Sequence, residues 1–127
     1  MELVAVVATL ALIEYVVILM RTGQARGRFD VPAPATTGHP VFERHFRVQE
    51  NTIEQLVIFL PSLFLFSTYV SPGMAALLGL GFIVGRALYA RAYVEDPARR
   101  GPGFMLSFLS NLVLLVGGML GALVAWL

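Results

Sequence analysis

The 127-residue chain contains no cysteine and no lysine. Without cysteine there are no disulfides, no thiolate metal sites and no cysteine nucleophile, so any thiol chemistry has to arrive with a substrate. Charge is also scarce: 13% of residues are charged, against about 25% in soluble domains, while 57% are hydrophobic. Mean hydropathy is +0.78. The net charge of +1 gives no basis for nucleic-acid binding. His39 and His45 have no further ligand at a metal-binding spacing, so no metal is expected.

What the chain does have is long apolar runs. A bilayer-crossing helix needs about 20 mostly apolar residues. Four runs meet that need, at about 3–20, 46–69, 74–93 and 104–127. Pro72-Gly73 separates the second from the third, and Pro97 with Gly101-Pro102-Gly103 separates the third from the fourth. The expectation is one domain, an all-α integral membrane four-helix bundle. The nine basic residues are all arginines. Arg21, Arg26, Arg28 and Arg44 lie between the first two spans, and Arg91, Arg99 and Arg100 between the last two. The positive-inside rule puts both segments in the cytoplasm and both termini outside, with Trp126 at the opposite interface. Short loops without cysteine fit a bacterial inner membrane. Val31–Pro40, with its three prolines, reads as an extended connection in a long first loop.

The second span starts on charge. Arg47, Asn51 and Glu54 fall at i, i+4 and i+7, on one helical face. On the third span Arg86, Tyr89 and Tyr93 fall at i, i+3 and i+7, at the same depth. Charges within a bilayer cost about 2.5–3.5 kcal/mol each and mark sites or buried pairs. Two readings follow. Glu54 and Arg86 form an ion pair that locks two helices, or the set binds a ligand with carboxylates for the arginines and an amine for the glutamate. Gln49 lies off this stripe and reaches another partner. Glu14, within the first span, is either a proton-coupling carboxylate or a buried partner to another helix. Ser107, Ser110 and Asn111 share a face and are expected to bond between helices. Gly81 with Gly85, Gly117 with Gly121 and Gly118 with Ala122 form close-packing faces, within one bundle or along a subunit seam.

The run Glu43-Arg44-His45-Phe46-Arg47-Val48-Gln49-Glu50-Asn51-Thr52-Ile53-Glu54 resembles the signature E-R-x-x-R-x-Q-x-N-x-x-E of the membrane-associated proteins in eicosanoid and glutathione metabolism (MAPEG). That family includes microsomal glutathione transferases and leukotriene C4 synthase. Arg26-Gly27-Arg28-Phe29 and Pro34-Ala35-Thr36-Thr37-Gly38 are similar to its first loop, and Arg86 to Tyr93 to its R-x-x-Y-x-x-G-Y motif. The resemblance implies a homotrimer with glutathione bound between neighbouring subunits on the cytoplasmic side. By position, Arg26, Arg47, Gln49, Asn51, Glu54, Arg86, Tyr89 and Tyr93 match residues that hold glutathione, and Arg100 matches the arginine that supports its thiolate. Arg99 is the neighbouring candidate for that last role. Gly27, Val57 and Ala92 depart from the family pattern; Gly27 removes a possible acid for eicosanoid chemistry.

The expected activity is therefore that of a membrane-bound glutathione transferase or peroxidase acting on lipophilic electrophiles or lipid hydroperoxides. A specialised leukotriene synthase is not expected. The alternatives are a non-catalytic lipid-binding scaffold of the same fold, and a small proton-coupled multidrug exporter built on Glu14.

Overall fold

The computed structural model describes all residues, Met1–Leu127. It contains four long helices: α1 (Glu2–Phe29), α2 (Pro40–Tyr69), α3 (Pro72–Glu95) and α4 (Gly101–Trp126). All four are long and apolar enough to cross a membrane. A single 3₁₀ turn, Pro97–Arg99, links α3 to α4. In the bundle α2 and α3 each pack against the other three helices, while α1 and α4 stand on opposite sides.

The core is apolar and aromatic. Phe59 of α2 and Phe82 of α3 stack with centroids 4.0 Å apart, among Val4 and Val7 of α1 and Leu114 of α4. Outward-facing leucines, valines and Trp126 are exposed along every helix. In water such a surface would aggregate; in a bilayer it is the lipid-facing side.

The helices run past the expected spans. The segment after Met20 is helical for two further turns, which shortens the first connection to Asp30–His39. Hydropathy alone ends a helix where its apolar run ends, but tertiary contacts carry α1 further. Thr22 Oγ1 donates to the carbonyls of Ile18 and His45, and Ala25 is buried with Phe42 of α2. Asp30 ends the helix in the left-handed conformation, φ 57°. Arg26 Nη1 then donates to the carbonyls of Val31 (3.3 Å) and Ala35 (2.7 Å), holding the connection down. At the start of α2, His39 Nδ1 accepts from the Val41 N–H, and Pro40 occupies the first turn where its missing N–H costs nothing.

The small-residue faces pack within the chain. Gly85 and Gly103 bring α3 and α4 into backbone contact, Gly81 sits against Ser110, and Gly117, Gly118 and Gly121 lie against Leu65, Phe66 and Tyr69 of α2. A Cβ on Gly103 would come 2.8 Å from the Tyr89 Cα and closer still to its N. Gly103→Ala must push α4 off α3, and is expected to cost about 1–3 kcal/mol. A lowered thermal midpoint in detergent would report it, with Gly27→Ala, where a methyl meets nothing within 4 Å, showing no loss.

Candidate functional site

At the arginine-bearing end of the bundle, Arg47 and Asn51 of α2, Tyr89 and Tyr93 of α3, Arg100 of the linker and Phe104 of α4 line an open cavity of about 440 Å³. Five of the nine residues singled out in the sequence thus meet in one place. Each is placed by its helix. Arg47 and Asn51 are one turn apart, as are Tyr89 and Tyr93, whose rings lie 5.5 Å apart. Arg100 is positioned by the linker: Asp96 Oδ1 accepts from the Ala98 N–H, and Arg100 Nη1 donates to the Pro97 carbonyl at 3.1 Å. That register brings Arg100 to the cavity and leaves Arg99 outside it. The first turn of α4 follows at once, so the positive end of its dipole favours an anion there. Arg44 ties the same end together by donating to the carbonyls of Val94 and Glu95 at the end of α3.

Arg86 lies beneath the cavity and is fully buried. The ion pair with Glu54, one of the two readings of the sequence, does not form. Arg86 Nη2 donates to Asn51 Oδ1 (2.8 Å) and Thr52 Oγ1 (2.9 Å), and Nη1 to Ser107 Oγ (3.3 Å). Its guanidinium also covers the Tyr89 ring at 4.2 Å. A buried guanidinium is tolerated when neutral oxygens take up its donors; here two other helices supply three oxygens to Nη1 and Nη2, while the Nε–H is left without a partner. Glu54 instead meets Arg47 at 3.6 Å, with both side chains about half exposed or more. An exposed pair of this kind contributes about 0–1 kcal/mol, so both partners can exchange to a charged ligand at little cost.

Arg26 and Gln49 lie outside the cavity. Arg26 stands over the Phe42 ring at 4.7 Å. Gln49 follows Phe42 by seven residues and so shares its face of α2, the face turned towards α1. Arg47 and Asn51 belong to the flank turned towards α3 and α4. Sequence reasoning missed Phe104, which tilts against Tyr89 at 6.2 Å; an aromatic directly after Gly101-Pro102-Gly103 was the available signal. It also missed Thr52, whose hydroxyl carries part of the Arg86 network. The expected bonding role of Ser107 and Asn111 is seen: Asn111 Nδ2 donates to the Gln55 carbonyl and Oε1.

Four membrane-length helices, three of which line an open polar chamber at one end, define an integral membrane protein of the four-helix type. Residues 4–120 match the MAPEG family, and the chain belongs to it. It is 45% identical over 119 residues to an uncharacterized protein, sll1147, of Synechocystis sp., covering 94% of this chain and 87% of that one. It is 40% identical over 121 residues to microsomal glutathione S-transferase 2 of Homo sapiens, covering 95% and 80%. With leukotriene C4 synthase of Rattus norvegicus the identity is 32% over 125 residues, covering 98% and 83%. A glutathione-related transferase function is thereby supported at the level of the family.

Proposed function

We propose that the protein is a membrane-bound glutathione transferase, with peroxidase activity on lipid hydroperoxides, whose chamber holds glutathione. The observation that carries this reading is the convergence of Arg47, Asn51, Tyr89, Tyr93 and Arg100 on one open cavity. Glutathione offers two carboxylates, an ammonium and a thiol. Arg47 suits a carboxylate, Glu54 the ammonium, and Asn51 and the phenols the peptide groups.

The thiol needs activating. A free thiol has a pKa near 8.5, so only a few per cent is thiolate at neutral pH. Lowering it by about two units requires roughly 2.7 kcal/mol of preferential anion stabilisation. Arg100, beside the N-terminus of α4, supplies a guanidinium and a dipole of the right sign. The proton leaves to water, and the thiolate sulfur attacks the electrophilic carbon as its leaving group departs. With a hydroperoxide it attacks the outer oxygen instead: the O–O bond breaks, the alkoxide takes a proton from water to leave as the alcohol, and the sulfur becomes a sulfenic acid, from which a second glutathione thiol displaces water to give the disulfide.

The two flanks of α2 bear on assembly. A helix with its side chains is about 10–12 Å across, so one tripeptide does not reach both Arg47 and Gln49 of the same α2. Arg26 and Gln49 of one copy facing the chamber of another would complete the set, which favours a homotrimer with the site between subunits. Orientation follows the arginines, with the chamber towards the cytosol and the termini outside; a bacterial inner membrane is the fitting location. Electrophiles and hydroperoxides then reach the thiolate from the lipid. The exporter alternative finds little support at Glu14, because Arg21 and Arg91 line the cavity that Glu14 faces, between α1 and α3, and repel a cationic drug.

The test is turnover by purified protein with glutathione and chlorodinitrobenzene, and separately with cumene hydroperoxide. Conjugate and alcohol formation above the uncatalysed rate are expected. A folded protein that binds glutathione but turns over neither would favour the scaffold.

A further inference from the structure

A second feature lies on the opposite side of α3 from the chamber. Three adjoining cavities, of about 450, 220 and 250 Å³, form a furrow along α1, bounded by α3 and, at its upper end, by the start of α2. Its α1 wall is one helical stripe, Glu14, Val17, Arg21, Gln24 and Arg28, spaced by three, four, three and four residues. Its α3 wall is Ala87, Ala90, Arg91, Val94 and, at the upper end, Glu95.

The furrow has a polarity along its length. In the deeper part Val17 and Ile18 line the cavity with the small residues Ala87 and Ala90, and Glu14 lies at its far end. From Glu14 to Arg21 is about 10 Å along the helix axis. The upper part carries Arg21, Arg28 and Arg91, with His45 between α1 and α2. Arg91 meets Glu95 at 3.8 Å as an exposed i, i+4 pair, whereas Arg21 and Arg28 have no carboxylate within ion-pair distance. Three arginines with a single exposed carboxylate partner among them, at the end of an apolar channel that opens to lipid, call for an anion attached to a chain.

We infer that this furrow binds an anionic phospholipid: its phosphate lies between Arg21 and Arg91, within reach of Arg28, and one acyl chain lies along Val17, Ile18, Ala87 and Ala90. Charge complementarity decides the head, since arginines near a membrane surface attract an acidic lipid and gain nothing comparable from a zwitterionic one. The alanines decide the tail, because larger side chains on α3 would close the channel. Glu14 closes its lower end, where a carboxyl group would disfavour a second anion.

The test is native mass spectrometry of the purified protein titrated with dioleoylphosphatidylglycerol, in parallel with dioleoylphosphatidylcholine and with inorganic phosphate. Phosphatidylglycerol adducts are expected to persist at collision energies that strip phosphatidylcholine. The double variant Arg21→Gln/Arg91→Gln is expected to weaken phosphatidylglycerol binding roughly tenfold or more. Arg99→Gln, which removes an equal kind of charge away from the furrow, should leave it unchanged. Both furrow arginines are exposed, so their loss leaves the core intact. Ala87→Phe, also at an exposed position, is expected to weaken the lipid by filling the chain channel. Equal retention of the two lipids, or an equal loss in Arg99→Gln, would overturn the inference. Displacement of the lipid by phosphate alone, with Ala87→Phe silent, would make the furrow a site for the head group only and overturn it as well.

Discussion

Replacing Arg100 with alanine is expected to lower the turnover of glutathione with chlorodinitrobenzene at neutral pH by about 25-fold. The magnitude follows from the activation it is assigned: losing two pKa units of thiol stabilisation, roughly 2.7 kcal/mol, returns the bound thiol from about 6.5 to about 8.5 and cuts the thiolate fraction at pH 7 from about three quarters to about 3%. The pH dependence has a definite sign. An arginine that holds the bound thiol pKa down gives activity already near its plateau at pH 7; without it the thiol returns towards about 8.5, and activity keeps rising through that range. Arg100→Ala should therefore recover most of its turnover near pH 9, and the ultraviolet absorbance of bound thiolate at pH 7 should disappear. Arg100→Lys keeps the charge and should retain an intermediate rate. Arg99→Ala, outside the cavity, should leave the thiolate absorbance in place.

Arg86→Met is expected to produce the largest loss of stability. The side chain is fully buried and donates to three oxygens on α2 and α4. Hydrogen bonds between membrane helices average about 0.6 kcal/mol, which would make three of them worth about 2. Bonds to a charged donor are stronger, about 1.5–3 kcal/mol each, and the oxygens left behind lose their partners. A decrease of about 2–4 kcal/mol is expected, read as a fall in the thermal midpoint in detergent. A second effect separates this network from simple packing. Asn51 both accepts from Arg86 and lines the chamber, so glutathione affinity should fall in Arg86→Met even at temperatures where the variant is fully folded. Loss of stability with unchanged affinity would detach Arg86 from the site.

Four apolar runs broken by proline and glycine were enough to expect the bundle, and the i, i+4, i+7 placement of Arg47, Asn51 and Glu54 was enough to expect a polar face at one end. Other features depend on contacts that no single helix carries. The helical continuation from Arg21 to Phe29 is polar on the outside and held by Thr22, Ala25 and Arg26 against α2 and the connection, so a hydropathy window ends too early. The partners of Arg86 were obscured because formal charge pointed to Glu54, whereas three neutral oxygens on two helices do the work. Phe104 joins the chamber only because Gly85 and Gly103 let α4 approach α3 closely. The small-residue spacing predicted close contact but not its partner; the contact proves to be within the chain.

Underlying both predictions is the idea that the arginines, amide and carboxylate at this end exist to hold a charged tripeptide. Titration calorimetry of glutathione into the purified, detergent-solubilised protein tests it most directly. A saturable heat is predicted, lost or weakened at least tenfold in Arg47→Ala, which removes one exposed guanidinium from the chamber wall without disturbing the core. No heat with the folded parent protein, or the same affinity after Arg47→Ala, would contradict it.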